Sequence, residues 1–252
     1  MASTTVPPAE VPESGNSISR IFGALFSPKA TFESIVRRPT WLVPLLLLTL
    51  VSMGAGFAIG QRMGWRPLIE QQIQKNPSAQ RRLEQLTPEQ RQQIIDQQVK
   101  YVPISVYVAS TLGSAVVLVI IAAVFLGIFN LASGVPMGFA TSLSIAVYAW
   151  TPRLIYGLLA ILILFLKDPS TVDPQNIVAS NPAVFLADGA AAWLATLLRS
   201  LDLFSFWVMG LLSVGYSAVN PKKLSFGKAF ATVFGVWLIY VLVRVGLAAA
   251  FS

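Results

Sequence analysis

The sequence predicts an all-α fold, a polytopic membrane helical bundle of five transmembrane helices with short interfacial amphipathic helices beside them. Three observations carry this. From Tyr101 to Pro152 no Asp, Glu, Lys or Arg interrupts a run dominated by Val, Ile, Leu, Ala and Phe. As helix it covers about 78 Å, enough to cross a hydrocarbon core of about 30 Å twice with a turn between. Over the whole chain 55% of residues are hydrophobic and only 12% charged, about half the charge of an ordinary soluble domain. The apolar runs are continuous rather than alternating. That suits helices, which satisfy their own backbone polar groups in lipid, and not barrel strands.

Composition also limits the chemistry. With no Cys and no His, the chain offers no thiolate, imidazole base, zinc-finger set or disulfide framework. The net charge is +7, but the basic residues flank apolar spans and form no patch with interleaved aromatics. They read as headgroup anchors, and no nucleic-acid partner is expected. Asp168, Asp173, Asp188 and Asp202 lack metal-ligand spacing, so no catalytic residue, metal or cofactor is expected.

Residues 1–17, small, polar and Pro-rich, read as a disordered tail without a cleaved signal peptide. Residues 18–252 read as one membrane domain. Ile18, Ile21, Phe22, Leu25 and Phe26 recur at helical spacing, as do Phe32, Ile35 and Val36 after Ser27-Pro28, with Lys29, Arg37 and Arg38 on the polar side. Two short interfacial helices fit this best, with an ordinary solvated linker as the alternative. The first span is 39–61, bracketed by Trp41 and Trp65 about 36 Å apart along a helix. Its Ser52, Gly56 and Gly60, at four-residue spacing, form a helix-packing face where another helix can approach closely.

Residues 62–100 invert the composition, with seven Lys or Arg, four acids and many Gln, and read as an extramembrane segment of two or three short amphipathic helices. Thr87-Pro88-Glu89-Gln90 marks one helix start, and Ile94, Ile95 and Val99 give its apolar stripe. Spans 103–131 and 139–166 follow, joined by a turn between Asn130 and Gly138 rich in Asn, Gly, Ser and Pro. Within the third span, Tyr148-Ala149-Trp150-Thr151-Pro152-Arg153 sets a helix-kinking proline beside a charge near mid-membrane. This is the candidate functional site: Tyr148, Trp150, Pro152 and Arg153, with Asp202 as countercharge. Carbonyls freed near Tyr148 and Ala149 are expected to accept from the guanidinium.

Residues 167–182 read as a loop and Ala183–Leu198 as an interfacial helix, with a sixth span as the alternative. Ser200 is the expected cap of the fourth span, 201–219. A basic turn at Asn220-Pro221-Lys222-Lys223 leads to the fifth, 229–251, where Arg244 snorkels.

Five spans with a long extramembrane segment after the first resemble the Yip family of integral membrane proteins, named for interaction with Ypt/Rab GTPases. Three pieces carry the resemblance over about residues 18–250: Ser27 to Phe32 leading to Pro39-Thr40-Trp41-Leu42-Val43-Pro44, the Tyr148-to-Pro152 kink, and Leu201 to Trp207 followed by Gly210 and Gly215. The Asp-Leu-Tyr-Gly-Pro type of motif that precedes the first span in eukaryotic members is absent, so the resemblance is to the prokaryotic branch. It implies a non-enzymatic membrane adaptor or organiser in contact with lipid and with a protein partner or a second copy. The alternative is a transporter or channel component with a polar site at Pro152-Arg153. With the N-terminus inside, the cytoplasmic segments hold seven Lys or Arg and the outer ones nine, a near tie. The resemblance places the N-terminus in the cytoplasm and the protein in the inner membrane of a bacterium.

Overall fold

The computed structural model describes residues 16–74, 77–132, 134–187 and 189–250. Asn16 and Ser17 belong to the first helix, and the rest of the expected tail, residues 1–15, lies outside the described residues. Among those described there is no strand. Four helical stretches are long and apolar enough to cross a membrane, and a bent helix pair makes a fifth candidate.

Helix α1 (Ser17–Phe26) starts where the Asn16 side chain accepts from the Ser19 amide at 2.9 Å. Helix α2 (Pro28–Arg37) starts on a proline, whose missing N–H costs nothing in a first turn. The apolar stripe of α2 is buried in the bundle rather than laid on a membrane surface: Phe32 and Ile35 are fully enclosed. Helix α3 (Leu42–Met63) ends at Gly64, whose φ of 71° favours glycine.

Helices α4 (Trp65–Gln74) and α5 (Pro77–Glu84) stand beyond α3. Thr87 and Gln90 then form a reciprocal capping box, at 3.3 and 3.0 Å, and open α6 (Pro88–Val108). The third extramembrane helix is therefore not separate from the second apolar run. It continues through a π turn at Ala109–Gly113, α7 (Ser114–Gly127) and a second π turn at Ile128–Ala132, one helical stretch from Pro88 to Leu131. The turn back is stapled by Asn130, whose side chain donates to the Met137 carbonyl at 3.1 Å and accepts from the Met137 amide at 3.0 Å.

Helix α8 (Phe139–Ala149) is the centre of the core: every residue from Ser142 to Ala149 is buried. A helix enclosed on all sides must dispose of its hydroxyls internally. Ser142 accordingly donates to the Ala122 carbonyl at 2.7 Å and shares a 2.9 Å hydrogen bond with the Tyr216 hydroxyl, while Ser144 donates to Ala140. Phe125 and Phe129 pack on the Tyr216 ring at centroid distances of 5.3 and 4.7 Å.

Helix α9 (Pro152–Leu166) runs parallel to α3. Gly157 leaves room for Val51, Gly54 faces Ile161, and the Arg62 guanidinium donates to the Leu164 carbonyl at 3.0 Å, so both helices finish at the same end. The interfacial helix expected from Ala183 begins only at Ala192, since Pro182–Phe185 forms a single 3-10 turn and α10 (Ala192–Ser200) is nine residues long. Too short to span alone, α10 joins α11 (Leu203–Val219) at a 47° bend. Asp202, not Ser200, caps α11 by accepting from the Ser205 amide, while the Ser200 hydroxyl donates to Thr196. Helix α12 (Phe226–Ala250) closes the bundle, stacking Phe226, Phe230, Phe234 and Trp237 in sequence. Outward faces carry Leu46, Leu50, Phe57, Ile120, Leu162 and Leu247, the inside-out pattern of a protein solvated by lipid.

Candidate functional site

The third apolar run is one helical stretch, Phe139–Leu166, that tightens at its middle without a sharp break. Ala149 ends α8, Trp150 and Thr151 turn, and Pro152 becomes the first residue of α9. Proline cannot donate to the carbonyl four residues back, so the ladder tightens there: the Arg153 amide donates to Trp150 and the Leu154 amide to Thr151, both at 2.9 Å. The Thr151 hydroxyl and amide both donate to the Tyr148 carbonyl. The expected guanidinium-to-carbonyl bonding is replaced by this local arrangement, and Arg153 turns to α11.

There Arg153 Nη2 donates to the Ser205 hydroxyl at 2.9 Å and lies 3.4 Å from Asp202 Oδ2. The Ser205 hydroxyl in turn donates to Asp202 Oδ2 at 2.9 Å. Asp202 is buried, and it also accepts from the Ser205 amide and the Ser180 hydroxyl. Its carboxylate therefore serves as helix cap, ion-pair partner and anchor for the preceding loop. The Arg153 guanidinium sits over the Tyr156 ring, 5.3 Å from its centroid.

On the other side of Pro152, the enclosed Tyr148 shares a 3.2 Å hydrogen bond with the Thr40 hydroxyl. Thr40 accepts from Arg20 at 3.0 Å, and Arg20, itself buried, also donates to the Arg38 carbonyl and the Ser34 hydroxyl, both at 2.9 Å. Trp150 packs half-buried against the core. The tightened turn is thus tied to α1–α3 through Tyr148 and to α11 through Arg153.

Sequence reasoning named Tyr148, Trp150, Pro152, Arg153 and Asp202 but missed Arg20, Ser34, Thr40, Ser180 and Ser205. Arg20 is the lone charge of an otherwise apolar helix, a signal pointing to burial with partners. Ser205 stands three residues after Asp202, the spacing at which a cap meets its amide. Of the small-residue face, Gly56 is buried and lies against α6 and its π turn, where an added Cβ would sit 2.8 Å from Ser110 Oγ and 3.6 Å from Val106. Gly60 receives the Trp65 ring instead, and Ser52 is half-buried.

Outside the spans, Asp168 caps a short turn. The Ser170 amide, then the Ser170 hydroxyl, hold its carboxyl below the ordinary range, with Arg62 adding to the effect. Among the described residues no three His, Cys, Asp or Glu side chains converge as metal ligands.

The three sequence pieces converge in space. Phe32 of the first packs against Gly215 of the third, Thr40 meets Tyr148 of the second, and Arg153 after the second meets Asp202 of the third. A family model described as the Yip1 domain matches residues 22–247. Neither a curated protein nor a solved structure matches the chain.

Proposed function

We propose that this chain, which belongs to the Yip1 domain family, acts as a non-enzymatic membrane adaptor that holds a folded polar platform at one face of a lipid-embedded bundle. The observation that supports this is the length of the helical stretch Pro88–Leu131. At 1.5 Å per residue it reaches about 66 Å, about twice the thickness of a hydrocarbon core. Its first turns stand outside the apolar run and are braced. Arg66 pairs with Asp96 and, at 3.8 Å, with Glu70. Arg91 donates to the carbonyls of Leu86 and Glu84, fixing the α5–α6 turn. Leu68 and Ile69 are buried beneath. What remains exposed is polar, including Arg81 and Arg82, a surface suited to a protein partner or a second copy.

The finer reading places the chain in the prokaryotic branch and in a bacterial inner membrane, with the N-terminus and the Lys222-Lys223 turn cytoplasmic and the platform outside. To test the adaptor role, the full chain is purified from its native membrane in mild detergent beside the Arg81→Glu/Arg82→Glu variant. The reading expects a stoichiometric partner that the variant loses. A wild-type preparation with no such partner, or one indifferent to the substitutions, would overturn it. The Arg153–Asp202 pair beside a proline within a span favours a second reading, a channel or transporter component. Ion conductance in planar bilayers that Arg153→Leu abolishes would select it.

A further inference from the structure

We infer that the chain between Lys167 and Ser180 is a re-entrant segment standing in water, so that a solvent-filled cleft reaches the Arg153–Asp202 pair from the end of the bundle where α3 and α9 finish. The depth follows from the parallel packing of those helices. With Gly157 against Val51 and Ile161 against Gly54, Arg153 stands level with about Leu47. By helical rise this is about 20 Å from the Leu166 end of α9 and only about 8 Å from the start of α3.

The loop leaves α9 at the far end. Lys167 follows directly on Leu166, Asp168 caps the next turn, and Val172 is buried with Ala58 and Leu164. Yet eight residues later the Ser180 hydroxyl donates to Asp202, and the Ser180 carbonyl accepts from the Leu203 amide at 3.1 Å. Ile177 still packs with that cluster, so the descent toward the Arg153–Asp202 pair falls between Ile177 and Ser180, within the about 10 Å that three extended residues reach.

The loop around that descent is irregular and polar. Asp173 caps a turn, Asn176 and Asn181 exchange amide hydrogen bonds at 2.8 and 3.3 Å, and Arg199 of α10 donates to Asp173 and Gln175. Gln175 and Ala179 are exposed, and Ala179 has a φ of 52°. Irregular backbone at membrane depth persists only where protein covers it or water solvates it. No described residue covers the exposed Gln175 and Ala179, which leaves water. The following turn carries the opposite chemistry, with Val184 and Phe185 exposed as an apolar edge toward lipid. The cleft admits water and small hydrated solutes. This goes beyond the adaptor reading, which needs no water inside the membrane, and it stands or falls separately.

Because the chain has no Cys, single substitutions report access directly. Ala179→Cys is compared with Lys167→Cys at the rim and Leu158→Cys on the outward face of α9, where the side chain is 57% exposed. The full chain in intact membranes is treated with a charged, impermeant methanethiosulfonate. The inference expects Ala179→Cys to react from the same side as Lys167→Cys and about tenfold or more faster than Leu158→Cys, which faces lipid. Gln175→Cys serves as a second reporter should Ala179→Cys misfold. Both loop positions as inert as Leu158→Cys, whether sealed by lipid or by a second copy, would overturn the cleft. So would reaction only from the opposite face.

Discussion

Removing either charge of the Arg153–Asp202 pair tests whether the turn at Pro152 is held to α11 by electrostatics or by shape. Asp202 is 6% exposed and accepts from the Ser205 amide, the Ser205 and Ser180 hydroxyls and Arg153. Asp202→Ala strands all four donors and removes the α11 cap, and should cost about 3–5 kcal/mol. Asp202→Asn keeps one capping oxygen but loses the charge and turns the oxygen that accepts from Ser180 into a donor, so about 1–2 kcal/mol is expected. Arg153 has a side chain 31% exposed, and Arg153→Leu leaves Asp202 with three donors; its loss should be about 1–3 kcal/mol. If the two interact, Arg153→Leu with Asp202→Asn should lose about 1 kcal/mol less than the sum. The assay is equilibrium unfolding of the full chain in mixed micelles of rising SDS fraction, followed by fluorescence of its six tryptophans. Additivity to within about 0.3 kcal/mol would remove the pair as an energetic unit, and wild-type stability of Arg153→Leu would mean that the guanidinium only snorkels toward the headgroups.

Gly56→Leu should destabilise by about 1–3 kcal/mol in the same titration, because even its Cβ would lie 2.8 Å from Ser110 Oγ; unchanged stability would mean that the glycine face meets lipid. Gly215→Val should cost at least as much, since an added Cβ would lie 2.9 Å from the ring of the enclosed Phe32, and a tolerated Val would show that α2 is loosely docked. Thr87→Ala should lose about 1 kcal/mol and expose the amides of the first α6 turn to hydrogen exchange, whereas unaltered protection would discount the capping box. For orientation, single Cys at Ser14, Ser78 and Ser225 should react with an impermeant reagent on intact cells only at position 78, and the reverse pattern inverts the topology.

The fold class was legible because a membrane helix needs only length and hydropathy, which local composition supplies. The altered turn at Pro152 was legible because proline acts on its own backbone. What that turn is tied to was not. Thr40 and Tyr148 are 108 residues apart, and no period in either segment encodes that meeting. The α10–α11 joint shows the same limit at short range: Ser200 and Asp202 are both competent caps, and the choice falls to Asp202 because it must also receive Arg153 and Ser180. Hydropathy likewise marked α2 as a surface helix, since ten residues with one apolar stripe look alike whether the stripe meets lipid or protein. Gly215 on α11, which admits the Phe32 ring, decided it.

The two polar clusters divide the work of stabilising one weakened turn. A proline removes one rung of the helix ladder and makes that point easier to bend, so bonds on either side of it hold the angle. Tyr148, the second-last residue of α8, is bonded toward α1–α3 through Thr40, and Arg153, the second residue of α9, is bonded to α11. The partners differ in kind. Arg20 meets neutral acceptors, the Arg38 carbonyl and two hydroxyls, so that link works through geometry. Arg153 meets a carboxylate that also anchors the polar loop, so that link depends on charge and is reached by whatever solvates the loop. The α9–α11 side is therefore the half of the turn that water and solutes can influence, and the α1–α3 side is its fixed support.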